Sequence, residues 1–211
     1  MVCKEFPESN RWLTAGVNAL ETAMDEMVLD DGFYFESSTS YHRFSLELFL
    51  YPFIVGKQFD IKFSKRYKDK LKKMFEIIKF LTDPSGSIAQ IGDNDDGRLF
   101  IFEDYTSWAR NDFRYLLEIG SFIFADDELR LNDNYNSEII FWLFGYDNLV
   151  KKKYDIQKPS TLNSAAFTKS GLYVIRNDMQ GDYALIKLGS PNLYAPKAHS
   201  HNDVLSIELW C

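Results

Sequence analysis

Lys151-Lys152-Lys153-Tyr154-Asp155-Ile156-Gln157-Lys158-Pro159 separates two hydrophobic patterns, and the fold class rests on that change. Before it, apolar residues recur every three or four positions, the period of a helix with one buried face. After it, short runs rich in β-branched and aromatic residues alternate with turn residues, as strands do. Helices first and strands afterwards predict an α+β multidomain chain of two segregated layers. Residues 1–150 form the helical part, 151–159 the linker, and 160–211 the strand part.

Working upstream, Trp12, Leu13, Val17, Leu20, Met24 and Met27 predict a helix over 12–28, with Glu8, Ser9 and Asn10 as N-cap candidates. Asp30-Asp31-Gly32 breaks it, and Phe33-Tyr34-Phe35 reads as a short extended piece. Ser37-Ser38-Thr39-Ser40 offers N-caps for a second helix over 41–55, which Pro52 is expected to kink or end. A third helix over 64–81 buries Leu71, Met74, Phe75, Ile77, Ile78 and Leu81 and stops at Asp83-Pro84-Ser85-Gly86. Two more are expected over 107–125 and 136–144. Downstream, strand runs fall at 166–167, 171–176, 183–188 and 204–210. The last has no turn and no successor, so the expectation is a chain truncated within its sheet and inactive by itself.

The balance of 24 Lys+Arg against 31 Asp+Glu gives a net charge of −7, and 45% hydrophobic residues exclude disorder as the main state. The acidic balance argues against a nucleic-acid binder, which needs a basic face. It leaves room for a local basic groove that meets an anionic substrate. Cys3 and Cys211 lie at opposite ends, so neither a zinc ribbon nor a disulfide framework is expected. No apolar run reaches the roughly 20 residues of a membrane span, and the first residues lack a signal-peptide core.

The chemistry-bearing residues cluster. Tyr41-His42-Arg43 places a phenol, an imidazole and a guanidinium at a helix N-terminus, where free N–H groups favour an anion. An aromatic staple with an exposed arginine is the plainer alternative. His199-Ser200-His201 precedes the last strand, and alternation puts both imidazoles on one side with Asp203. Those three are candidate metal ligands, including for a metal-dependent hydrolase, or an oriented acid–base pair. The polar string Gly92-Asp93-Asn94-Asp95-Asp96-Gly97-Arg98 lacks the spacing of a calcium loop and reads as an acidic turn that positions Arg98.

Three blocks carry a family resemblance. Asp31-Gly32-x-x-x-Glu36-x-Ser38-x-x-Tyr41-His42-Arg43 resembles the inner-helix motif of heparinase II/III-like polysaccharide lyases. Ile91-Gly92-Asp93-Asn94-Asp95-Asp96-Gly97-Arg98 resembles a later loop of that family, and Ser170-Gly171-Leu172-Tyr173 with His199-Ser200-His201-Asn202-Asp203-Val204-Leu205-Ser206 resembles the start of its β-domain. The resemblance implies the end of an (α/α) toroid followed by the first strands of an antiparallel β-sandwich. It implies β-elimination at a uronic acid in an acidic polysaccharide, alginate or glycosaminoglycan, and a periplasmic or secreted location. A non-catalytic glycan-binding or polysaccharide-assembly protein on the same fold is the alternative.

On that resemblance His42 neutralises the substrate carboxylate and His199 is catalytic; Tyr41, which matches no family position, is the candidate catalytic phenol from its place beside His42. Arg43, Arg98 and Asn94 bind substrate. No cofactor is required, although His201 is the candidate ligand of a structural divalent metal such as zinc. The family's tyrosine after the loop's Gly-Asp is absent here, where the chain reads Asn94-Asp95-Asp96. Tyr41 and Tyr105 are the nearest substitutes.

Overall fold

A computed structural model of the chain describes residues 4–95, 97–102, 109–131, 138–147, 161–177, 181–189 and 199–210. The expected linker and Tyr105 lie outside them. Five α-helices precede four strands among these residues: α1 (Ser9–Met27), α2 (Thr39–Gln58), α3 (Lys65–Leu81), α4 (Arg114–Phe124) and α5 (Ile139–Phe144), then β1 (Ala165–Phe167), β2 (Leu172–Asn177), β3 (Asp182–Lys187) and β4 (Ser206–Trp210). The fold is α+β, with the strands forming one antiparallel sheet in the order β1-β2-β3-β4. None of the described helices is long and apolar enough to cross a membrane.

The amphipathic stripe of α3 makes it the central helix, with α1, α2 and α4 packed against it. Its Leu71, Met74, Phe75, Ile77 and Ile78 are fully buried. Gly120 of α4 lets the two helices approach, since a Cβ there would meet the Phe75 ring at 2.9 Å. Ser38 and Ser64 cap α2 and α3, each hydroxyl accepting the N–H three residues on, from Tyr41 at 3.1 Å and Tyr67 at 3.0 Å. For α1, Glu8, one of the expected candidates, is the N-cap residue, but it makes no side-chain cap bond.

Pro52 does not end α2, which runs on to Gln58. The buried Phe53, Ile54 and Gly56 hold that last stretch, and their burial outweighs the hydrogen bond the proline forfeits. α4 starts at Arg114, later than expected. Asp112 explains that boundary, because its carboxylate accepts the Arg114 N–H at 3.0 Å.

The sheet docks on the end of α3. Leu172, Val174, Tyr183 and Leu185 are buried beneath it. Tyr183 donates to the Leu81 carbonyl at 2.9 Å, and Arg176 donates to the Thr82 carbonyl. Asp31, just past α1, accepts both the N–H of Ser170 at 2.7 Å and its hydroxyl at 3.0 Å.

A buried charged cluster lies between α2, α4 and the segment at 97–99. Glu47 is fully buried; its carboxylate accepts the Leu99 N–H and the Tyr115 hydroxyl and lies 3.6 Å from Arg98 Nε. Burial pushes the Glu47 carboxyl up, and the Tyr115 and Leu99 hydrogen bonds and the two arginines oppose that. Replacing Glu47 with Ala removes all three partners' acceptor at once. The expected cost is about 3 to 5 kcal/mol of unfolding free energy, read from urea denaturation of the variant beside the parent chain.

Candidate active site

The three blocks singled out in the sequence meet at the N-terminus of α2. Ser38 Oγ donates to the Asp93 carbonyl at 2.7 Å, and the Thr39 N–H donates to the Ile91 carbonyl at 3.0 Å. Thr39 Oγ1 donates to the Ala89 carbonyl at 3.1 Å and accepts the Ile91 N–H at 3.2 Å. The segment before β4 closes on the same place. The Asp93 N–H donates to the His199 carbonyl at 2.9 Å, and the Gly92 N–H donates to Asp203 Oδ2 at 2.8 Å. Gly92 has φ +68°, and a Cβ there would lie 2.5 Å from the His199 oxygen, so this crossing needs glycine.

That junction brings Tyr41 and His199 together. Their rings stack with centroids 3.6 Å apart and planes within 18°. His199 Nδ1 lies 3.2 Å from Asp93 Oδ2. An ionised carboxylate can only accept, so Nδ1 carries the proton and Nε2 is left as the basic nitrogen. Nε2 lies 4.0 Å from Glu36 Oε2. Asp93 also accepts from His201 Nε2, and the His199 hydrogen bond, followed by the His201 bond, holds the Asp93 carboxyl below the usual range. The Tyr41 hydroxyl donates to Asp95 Oδ2. Ser40, Tyr41, Phe44, Asp95 and Gly97 line a pocket beside the phenol.

Other expected site residues go elsewhere. His42 is buried in the core, so it cannot neutralise a substrate carboxylate in this arrangement. Its Nδ1 accepts the Tyr34 N–H at 3.1 Å, its Nε2 donates to the Met74 carbonyl at 3.0 Å, and its ring stacks on Phe33. Arg43 is fully buried, donating to the carbonyls of Gly97 at 3.3 Å and Arg110 at 2.6 Å and lying over the Phe113 ring. The Arg98 side chain is 3% exposed, next to Glu47 and over the Tyr115 ring. Both arginines therefore hold the loop from inside and do not face a ligand. Asn94 is exposed on the loop.

His201, more than half exposed, points at Asp93, while Asp203 serves Gly92. Among the described residues no three His, Cys, Asp or Glu side chains converge as a metal site. Sequence reasoning missed Asp93, Asp95 and Glu36 as site residues. The signal was present for the first two: at i and i+2 in an extended segment they share one side.

A family model described as Heparinase II/III N-terminus matches residues 1–113, more than half of the chain. Among characterised proteins, a heparin-sulfate lyase of Pedobacter heparinus is 28% identical over 109 residues, which are 50% of this chain and 16% of that protein. A mutant of the heparan sulfate lyase HepC from Pedobacter heparinus superposes with a TM-score of 0.68 at 21% identity, covering 98% of this chain and 28% of that one. A crystal structure of heparinase III superposes with a TM-score of 0.67 at 18% identity, covering 97% of this chain and 30% of that one. The chain thus spans less than a third of the length of the relatives it matches.

Burial gives His42 a pH signature. It lowers the imidazole pKa from 6.5 to about 4, against the smaller opposing effects of the Met74 hydrogen bond and Asp31. As pH falls, the unfolded chain takes up this proton first. The stability is complete above the unfolded value and is lost as pH falls from there to about 4, by about 3 kcal/mol at most. Urea midpoints followed from neutral pH down to about pH 4.5 should show this slope, and His42→Gln should lack it.

Proposed function

This chain belongs to the heparinase II/III family, and from that membership we propose that it carries the acid–base pair of a polysaccharide lyase. The reaction is β-elimination at a uronic acid in an acidic polysaccharide. The observation that carries the reading is the Tyr41–His199 stack, formed by residues from the helical layer and the segment before β4 and oriented by Asp95 and Asp93.

The residue types fit what the chemistry requires. The C5 proton of a uronic acid is weakly acidic, so its removal needs a positioned base and stabilisation of the developing enolate. Departure of the glycosidic oxygen needs an acid. His199, with its proton fixed on Nδ1 by Asp93, presents a basic Nε2, and Tyr41 presents a hydroxyl. With His42 in the core, the neutral amide of Asn94 is the substrate-binding candidate that remains on this loop. Within the reading, residues 1–150 are the end of an (α/α) toroid and 160–211 the first strands of a β-sandwich. The cleft between them is where Tyr41 and His199 meet. The lyase names of the relatives point to heparan-type glycans as the first substrates to try.

The test uses this chain extended to the length of its relatives, mixed with heparan sulfate, heparin and alginate. Ultraviolet absorbance reports the C4–C5 double bond of the product. Tyr41→Phe and His199→Ala should each lower the rate by about 100-fold or more. Silence on every uronate with folded protein would sink the proposal. Glycan retention without product would favour a non-catalytic binding protein.

A further inference from the structure

Asp95 is exposed on its loop, yet it is not adrift. On one side the Asp93 carbonyl is held by Ser38, and on the other the Gly97 carbonyl is held by Arg43 and the Leu99 N–H by Glu47. Ser38, Arg43 and Glu47 are all buried and all belong to α2 or its cap. The short apex between these anchors delivers the Asp95 carboxylate to the Tyr41 hydroxyl. An ionised carboxylate accepts and cannot donate, so the hydrogen in that bond is the phenol's own.

The groups that bear on the Tyr41 hydroxyl are Asp95 and Asp93 from the loop and Glu36 from the turn before α2, with the His199 ring stacked alongside. The three carboxylates share one sign, and negative charge next to a phenol disfavours phenolate. The pocket lined by Ser40, Tyr41, Phe44, Asp95 and Gly97 opens beside the phenol, where a leaving sugar would sit.

We infer that Asp95 is a positioning residue that holds the Tyr41 O–H hydrogen, and that Tyr41 enters the reaction as the acid while proton abstraction falls to a different group. The inference rests on the lyase reading above. In the step it describes, a base other than Tyr41 takes the C5 proton. The C5–H electron pair becomes the C4=C5 double bond as the C4–O4 bond breaks. The Tyr41 O–H bond then gives its proton to O4, leaving a phenolate that regains a proton from solvent before the next turnover. The direction agrees with the hydroxyl's titration, which the Asp95 hydrogen bond, ahead of burial and the nearby carboxylates, pushes up to about 12.

The experiment needs no substrate at first. Tyrosinate absorbance is followed against pH for this chain and for Asp95→Asn, each with and without Tyr41→Phe, so that the difference isolates Tyr41. In Asp95→Asn the Tyr41 step should move from about 12 back toward the ordinary 10, raising the phenolate fraction at a fixed alkaline pH between about tenfold and a hundredfold. Asp95→Glu should restore the high value. A Tyr41 step that stays in place in Asp95→Asn overturns the inference.

In the extended, uronate-cleaving protein, the alkaline limb of kcat/KM should fall at lower pH in Asp95→Asn. A rate that climbs as the phenol ionises would make Tyr41 the base and overturn the inference. Absence of cleavage together with a shifted phenol step would refute the lyase reading and leave the role of Asp95 in holding the proton intact.

Discussion

The backbone of residues 89–95 and 97–99 runs past the start of α2 outside any described helix or strand, and its polar groups must find partners or lose stability. The first turns of α2 supply them. Ser38 and Thr39 take the carbonyls and N–H groups at 89–93, and Arg43 and Glu47 take those at 97 and 99. Everything chemical in the molecule depends on this crossing. It aims Asp93 and Asp95, and through Gly92 and Asp93 it fastens the segment before β4, so that His199 arrives over Tyr41. The strand layer is therefore also joined to the helical layer at the place where Tyr41 and His199 meet.

Periodicity made the layers legible. The α3 stripe and the four strands follow directly from residue spacing, and the serine run before α2 holds its cap. The direction of each side chain on α2 was less legible. Successive residues on a helix point roughly 100° apart, so Tyr41, His42 and Arg43 cannot all face one ligand. Tyr41, Phe44 and Leu48 share the more open side, while His42, Arg43, Leu46, Glu47 and Leu50 lie inward. Reading the three consecutive polar residues as one anion-binding group overlooked that rotation. The charged members of the inner row looked like surface groups because their partners, the carbonyls at 97 and 110 and the cluster around Tyr115, are remote in sequence.

Lys70 teaches the same lesson elsewhere. It sits among the lysines in the first half of α3, and its ammonium is buried and donates to the carbonyls of Met24, Asp25 and Val28 at 3.2, 2.9 and 2.7 Å. It thereby satisfies the end of α1, which carries no basic residue in its own last turn. A cation in the second turn of α3 can cap the end of α1, and no local pattern announces that.

The charge layout also bears on how an anionic sugar would be handled. The exposed rim around Tyr41 and His199 is acidic, with Glu36, Asp93 and Asp95, while Arg43 and Arg98 lie beneath it in contact with Glu47. Two of the three carboxylates are committed to protons: Asp93 to those of His199 and His201, Asp95 to that of Tyr41. Such a site is organised to place protons and not to attract anions by surface cations. On the proposed reading, the uronate charge has to be met by fixed dipoles such as amide groups. That arrangement suits the reaction, since a dipole aimed at the developing enolate stabilises it without tightening the grip on the ground state as strongly as a full cation would.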